Sequence, residues 1–153
     1  MTEQSVTHAS LIIERLLDAP AAKVYQAFAD QTAKEKWFKG PDDSAPDEHR
    51  MDFREGGRES NSGTFHGTVH RFEATYYDIV PDERIVYAYE MYLNDERISV
   101  SLATLEFTAE ANGTRLTLTE NGVFLDGLDT VESRRQGTEQ LLDALAASLR
   151  SDL

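Results

Sequence analysis

The chain has 153 residues, 40% hydrophobic and 28% charged, a composition that fits one globular domain and excludes a disordered chain. It contains no cysteine, which excludes disulfides and thiolate chemistry. The formal charge is −13, and all four lysines (Lys23, Lys34, Lys36, Lys39) precede residue 40. Such a surface repels phosphate backbones, so no nucleic-acid partner is expected.

The opening residues MTEQSVTHAS are polar and lack the apolar centre of a signal peptide, and no apolar run approaches the ~20 residues that span a bilayer. The expectation is a soluble, cytoplasmic protein without membrane insertion, a single domain over residues 1–153 whose residues 1–9 are loosely ordered.

Ser10–Asp18, SLIIERLLD, reads as the first strand. Pro20 suits the first position of a helix, where its missing N–H costs nothing. Val24 and Phe28 give that short helix an apolar stripe. Thr32 and Glu35 have capping-box spacing and open a second short helix, TAKEKWF. Residues 40–48, GPDDSAPDE, hold two of the four prolines and read as a loop. A short strand is expected around Arg50–Arg54, with turns at Gly56-Gly57 and Ser60–Gly63.

Two long strands follow. Phe72, Ala74 and Tyr76 alternate with Arg71, Glu73 and Thr75, which turns the first set inward. After a turn at Pro81-Asp82, the residues Ile85, Tyr87, Tyr89, Met91 and Leu93 share one face. Asn94-Asp95 turns the chain again. In Arg97–Thr108 the apolar parity changes between Ile98, Val100, Leu102 and Leu105, Phe107, and a β-bulge near Ser101–Thr104 would reconcile the two sets. Asn112-Gly113 predicts a hairpin leading into a strand with Leu116 and Leu118 inward. Val131, Thr138, Leu142, Leu145 and Leu149, widened by Leu141, predict a helix over 129–150. Gly137 inside it costs roughly 1 kcal/mol against Ala, which implies close packing or a bend.

This order predicts an α+β fold. A curved antiparallel sheet of six or seven strands surrounds a long C-terminal helix, with two short helices after the first strand. One helix about 10 Å wide leaves a groove on such a sheet. The inward parities send Phe72, Tyr76, Tyr87, Tyr89 and Met91 toward that groove, with Trp37 and Phe38 at the end of the second short helix and Trp37 closing the mouth. Such a cluster is either core or pocket. Tyrosine hydroxyls need partners, which suits a partly wet pocket and makes Tyr89→Ala milder than truncation of a core leucine. Glu120 shares the parity of Leu116 and Leu118, so it is either a groove carboxylate or the solvated end of its strand. His70 and Asp78 carry the same ambiguity. Tyr77 and Tyr92 have outward parity. Lys34, Lys36 and Lys39 form the one basic cluster, either a solvated helix face or an attractor for an anionic head group.

No phosphate-binding glycine motif, HExxH or GxSxG is present. His66 and His70 lie about 13 Å apart on one strand and cannot share a metal locally. No metal or cofactor is expected, and no pair of groups has catalytic spacing, so catalytic residues stay unassigned.

Five segments carry a resemblance over about residues 10–150. They are Asp18-Ala19-Pro20 with Val24 and Phe28; Asp30–Phe38, DQTAKEKWF; Arg54-Glu55-Gly56-Gly57-Arg58; and the pair Ile79–Ile85 and Gly113–Thr119. Together they resemble the START-like, Bet v 1-type (SRPBCC) superfamily with its helix-grip fold, in the branch named for the activator of Hsp90 ATPase homologue 1. Phe38 stands where that branch has the second of two tryptophans. The resemblance implies binding of a small hydrophobic or amphipathic ligand between sheet and helix; position and inward parity nominate Trp37, Phe38, Phe72, Tyr76, Tyr87, Tyr89, Met91 and Glu120 as its contacts, and a monomer or homodimer is expected. The alternatives are an adaptor that meets a chaperone or client through the acidic surface, and a cyclase- or hydrolase-like enzyme that uses Glu120 or His70 in the same groove.

Overall fold

The computed structural model describes residues 4–40 and 45–151. The elements run β1 (Val6–Leu17), α1 (Ala21–Ala29), α2 (Gln31–Glu35), β2 (Ala45–Met51), β3 (Arg58–Phe65), β4 (Thr68–Val80), β5 (Arg84–Leu93), β6 (Glu96–Glu110), β7 (Gly113–Leu125) and α3 (Val131–Ser151). The seven strands form one antiparallel sheet in the order β1-β7-β6-β5-β4-β3-β2. This is the α+β helix-grip arrangement that the sequence predicts. Strands β3 to β7 are a meander. β1 returns to pair with β7 at one edge, β2 lies at the other, and α1 and α2 carry the chain between the two edges.

The local boundaries differ from the sequence expectations in five places. β1 starts at Val6, four residues early, because Val6–Ala9 pair with β7. α2 is capped by Asp30, whose carboxylate accepts the Ala33 N–H at 2.9 Å, and not by Thr32. Part of the expected 40–48 loop is strand β2; residues 41–44 lie outside the described residues. β2 tolerates Pro46 because it is an edge strand with a register shift between Pro46 and Glu48. The expected turn Ser60–Gly63 is interior to β3, whose small polar residues are held on both sides by β2 and β4; the chain turns instead at His66-Gly67. The bulge of β6 falls earlier than Ser101–Thr104. Met91 pairs with Ser99 and Tyr92 with Arg97, so Ile98 is the extra residue. Ser99, Ser101 and Ala103 therefore point inward, while Val100 and Leu102 are exposed on the outer face.

The core divides along α3. Leu142, Leu145 and Leu149 are 3%, 0% and 3% exposed and pack with Leu11, Ile13, Leu17, Leu105, Leu116, Leu118 and α1. No side chain from Val131 to Leu141 is fully buried. The helix is held to β1 by Arg15–Asp143 at 2.5 Å and by Arg135 donating to the Ile12 carbonyl at 3.3 Å. Gly137 is not closely packed, since a Cβ built there meets nothing within 4 Å. Gly137→Ala should therefore stabilise the protein by about 0.5–1 kcal/mol, read as a higher urea midpoint at unchanged slope.

Candidate functional site

Cross-strand registers line up three inward-facing rows. One runs Asn61, Phe72, Met91, Ser99, Phe124; the next Glu59, Ala74, Tyr89, Ser101, Gly122, Ala9; the third Tyr76, Tyr87, Ala103, Glu120, Leu11. Below them Ile85, Leu105, Leu118 and Ile13 are wholly aliphatic. The inward polar groups thus lie in these three rows, with Tyr89 and Ser99 bonded to Arg134 in the loosely covered first half of α3 and Glu59 at the far end beside α2 and β2.

Of the expected ligand-binding residues, Phe38, Phe72, Tyr87 and Met91 face inward yet remain partly exposed. They lie in edge-on contact, Phe38 to Phe72 at 5.1 Å and Phe72 to Tyr87 at 6.5 Å between ring centres. Among the described residues nothing hydrogen-bonds the Tyr87 hydroxyl, and burial pushes its pKa well up. Trp37, Tyr76 and Tyr89 are buried. Trp37 sits behind Phe38 against Phe28, its indole N–H donating to the Ala27 carbonyl at 3.0 Å, so it does not close the mouth. Tyr89 is a buried, bonded side chain and not a wet wall, so its truncation is not mild: two charged groups would lose their shared phenol.

Two buried networks flank the aromatics. At the β2 end, Glu59 is 1% exposed. Its Oε1 accepts from Lys34 Nζ at 2.6 Å and from the Tyr76 hydroxyl, and its Oε2 lies 2.8 Å from His49 Nε2. His49 Nδ1 is 2.9 Å from Glu35. Carboxylates only accept, so a ring facing one at each nitrogen carries both protons. The hydrogen bond to Glu59 accordingly holds the His49 pKa above its ordinary value against the effect of burial. Burial pushes the Glu59 carboxyl up, but Lys34 and the three hydrogen bonds prevail and hold it at about 2. Lys34, expected on a solvated basic face, is instead buried over the Phe38 ring at 4.5 Å.

At the other end Glu120 is buried and accepts the Tyr89 hydroxyl at 2.6 Å through Oε1. Arg134 of α3 donates to Tyr89 at 2.9 Å, to Ser99 Oγ at 2.7 Å and to Asp129 at 3.1 Å. Burial raises the Glu120 pKa, and the hydrogen bond from Tyr89 and the charge of Arg134 only partly offset it.

Sequence reasoning missed Glu59, His49 and Arg134. The false turn at Ser60–Gly63 hid the inward parity of Glu59. Arg134 lies three residues after Val131 and four before Thr138, on the apolar stripe itself, which was the available signal. His70 is exposed, as are Lys36 and Lys39. His66 is exposed in a turn, and Asp78 pairs with Arg84 at 2.5 Å. Tyr77 is exposed on the outer face, and Tyr92 lies under Arg71 at 4.2 Å. An open groove of about 600 Å³ crosses the outer face over Ser10, Ala88, Leu102 and Asn121, without charged residues in its lining. Among the described residues no three His, Asp or Glu side chains are grouped to hold a metal, and no helix is long and apolar enough to cross a membrane.

Comparison with known proteins places this geometry in a family. No curated protein matches the chain. Among solved structures, a protein from Rhizobium leguminosarum is 45% identical over 98% of this chain and 99% of that one, with a TM-score of 0.93. One from Rhizobium loti is 41% identical over 94% and 99%, with a TM-score of 0.86. An AHSA1-like protein from Aeromonas hydrophila shares the fold at 17% identity, 94% coverage of each chain and a TM-score of 0.72. The family model of the activator of Hsp90 ATPase homolog 1-like proteins matches residues 18–150. The chain belongs to the activator of Hsp90 ATPase homolog 1-like family.

Proposed function

We propose that the protein binds a small hydrophobic or amphipathic molecule in the cleft between the inward face of β4 and β5 and the first half of α3. One observation carries this reading. Phe38, Phe72, Tyr87 and Met91 point inward, as core residues do, yet stay partly exposed. An apolar surface held open beside a few fixed polar groups is the usual composition of a small-molecule site. The cations at either end, Lys34, His49 and Arg134, are already bonded to carboxylates, which leaves the apolar middle as the main part available to a ligand.

An apolar fluorescent dye should bind saturably at one site per chain. Met91→Trp, which fills the cleft, should weaken that binding about tenfold, whereas Leu102→Trp on the outer face should not. If Leu102→Trp alone weakens it, the outer groove is the site. Absence of saturable binding would favour the adaptor reading, in which the acidic surface meets a chaperone or a client.

A further inference from the structure

Glu120 is 6% exposed and uses only one of its oxygens within the protein. Among the described residues no donor reaches Oε2. The carboxylate walls a cavity of about 10 Å³ together with Ser101, Leu11, Phe124 and Val131. That is about the volume of one water-sized group.

The charges at the two ends of the inward face differ. At the β2 end the carboxylates Glu59 and Glu35 face the cations Lys34 and His49, and the set is neutral. At the α3 end Arg134 is matched by Asp129 at 3.1 Å, and Glu120 has no cation of its own. A buried carboxylate without a cation is costly unless it is protonated or something supplies the missing charge. An anionic head group finds no free cation there, because Arg134 is already bonded to Asp129, Ser99 and Tyr89.

Resting on the cleft reading above, we propose that the cavity beside Glu120 seats the ammonium head of a primary amine, so that the ligand is a lipophilic organic cation. Glu120 Oε2 and Ser101 Oγ accept from the ammonium, and Leu11, Phe124 and Val131 complete the wall of the seat. Val131, which walls the cavity at the start of α3, is itself only partly buried. The acidic surface of a chain of net charge −13 favours the approach of a cation.

Calorimetric titration of the full chain with hexylamine, hexanol, hexanoate and hexyltrimethylammonium tests this, in about 0.3 M salt to screen surface attraction. Hexylamine should bind roughly tenfold tighter than hexanol, and hexanoate more weakly than either. Hexyltrimethylammonium, whose head exceeds a water-sized seat, should lose the advantage. Glu120→Gln should reduce hexylamine to the level of hexanol and leave hexanol unchanged. If that variant does not fold, the series on the unaltered protein decides. Hexylamine no tighter than hexanol, or a preference that survives Glu120→Gln, overturns the head-group assignment and leaves the cleft standing. Binding by none of the four compounds overturns both.

Discussion

Glu59→Gln should destabilise the protein by about 3–5 kcal/mol, the usual loss when one partner of a buried ion pair is removed. Lys34, His49 and Tyr76 share this carboxylate, and the amide keeps only one accepting oxygen and turns a donor NH2 into the cluster. The amide cannot balance the Lys34 charge, which stays buried. Ordinary stabilities are about 5–15 kcal/mol, so much of the margin would disappear. Urea melts of the two proteins near pH 6 measure the loss, and a difference below about 1 kcal/mol would mean that water reaches the cluster. The loss should also depend on pH. The Glu59 carboxyl is lowered from 4.5 to about 2 on folding, so its contribution is complete above about 4.5 and fades as the pH falls toward 2. His49 is raised above 6.5, so its contribution is complete below 6.5 and fades as the pH rises through the folded value. The cluster is therefore strongest between about pH 4.5 and 6.5.

Leu145→Ala should cost about 2–5 kcal/mol, the range for a leucine truncated where neighbours cannot close the space. Leu145 is fully buried beside Leu142 and Leu149, and the sheet beneath it is fixed by continuous pairing. Thr138→Ala, on the less covered first half of the same helix, should cost clearly less. Equal losses in urea would contradict the uneven anchoring of α3.

The sheet was legible because its long strands repeat apolar residues with period two. β4 and β5 keep that period through Phe72–Tyr76 and Ile85–Leu93, and α3 keeps its own through Leu142, Leu145 and Leu149. β2 and β3 were not legible. Their residues, APDEHRM and RESNSGTF, are polar and turn-like, and they are strands because each finds a partner far along the chain. The candidate site divides in the same way. The aromatic rows follow from parity, as does the inward Glu120. The partners that fix the charges do not, because Glu59 depends on α2 for Lys34 and on β2 for His49. Local spacing carries no signal of such meetings.

β1 is the first strand made and pairs with β7, from Val6↔Leu125 to Leu17↔Thr114. During synthesis it must wait for about a hundred further residues, roughly 5–20 s at ordinary ribosomal rates. Through that interval Leu11, Ile13 and Leu17 have neither their neighbouring strand nor α3 to cover them. The meander from β3 to β6 closes by short turns and can assemble meanwhile, so the edge that β1 fills forms late. A nascent chain released before Gly113 would lack β7 and expose both the unpaired side of β6 and a loose apolar strand able to pair at an open edge of another molecule. Truncation before residue 113 should thus yield aggregates, and pulse-labelled hydrogen exchange should protect the β4–β5 amides before those of β1.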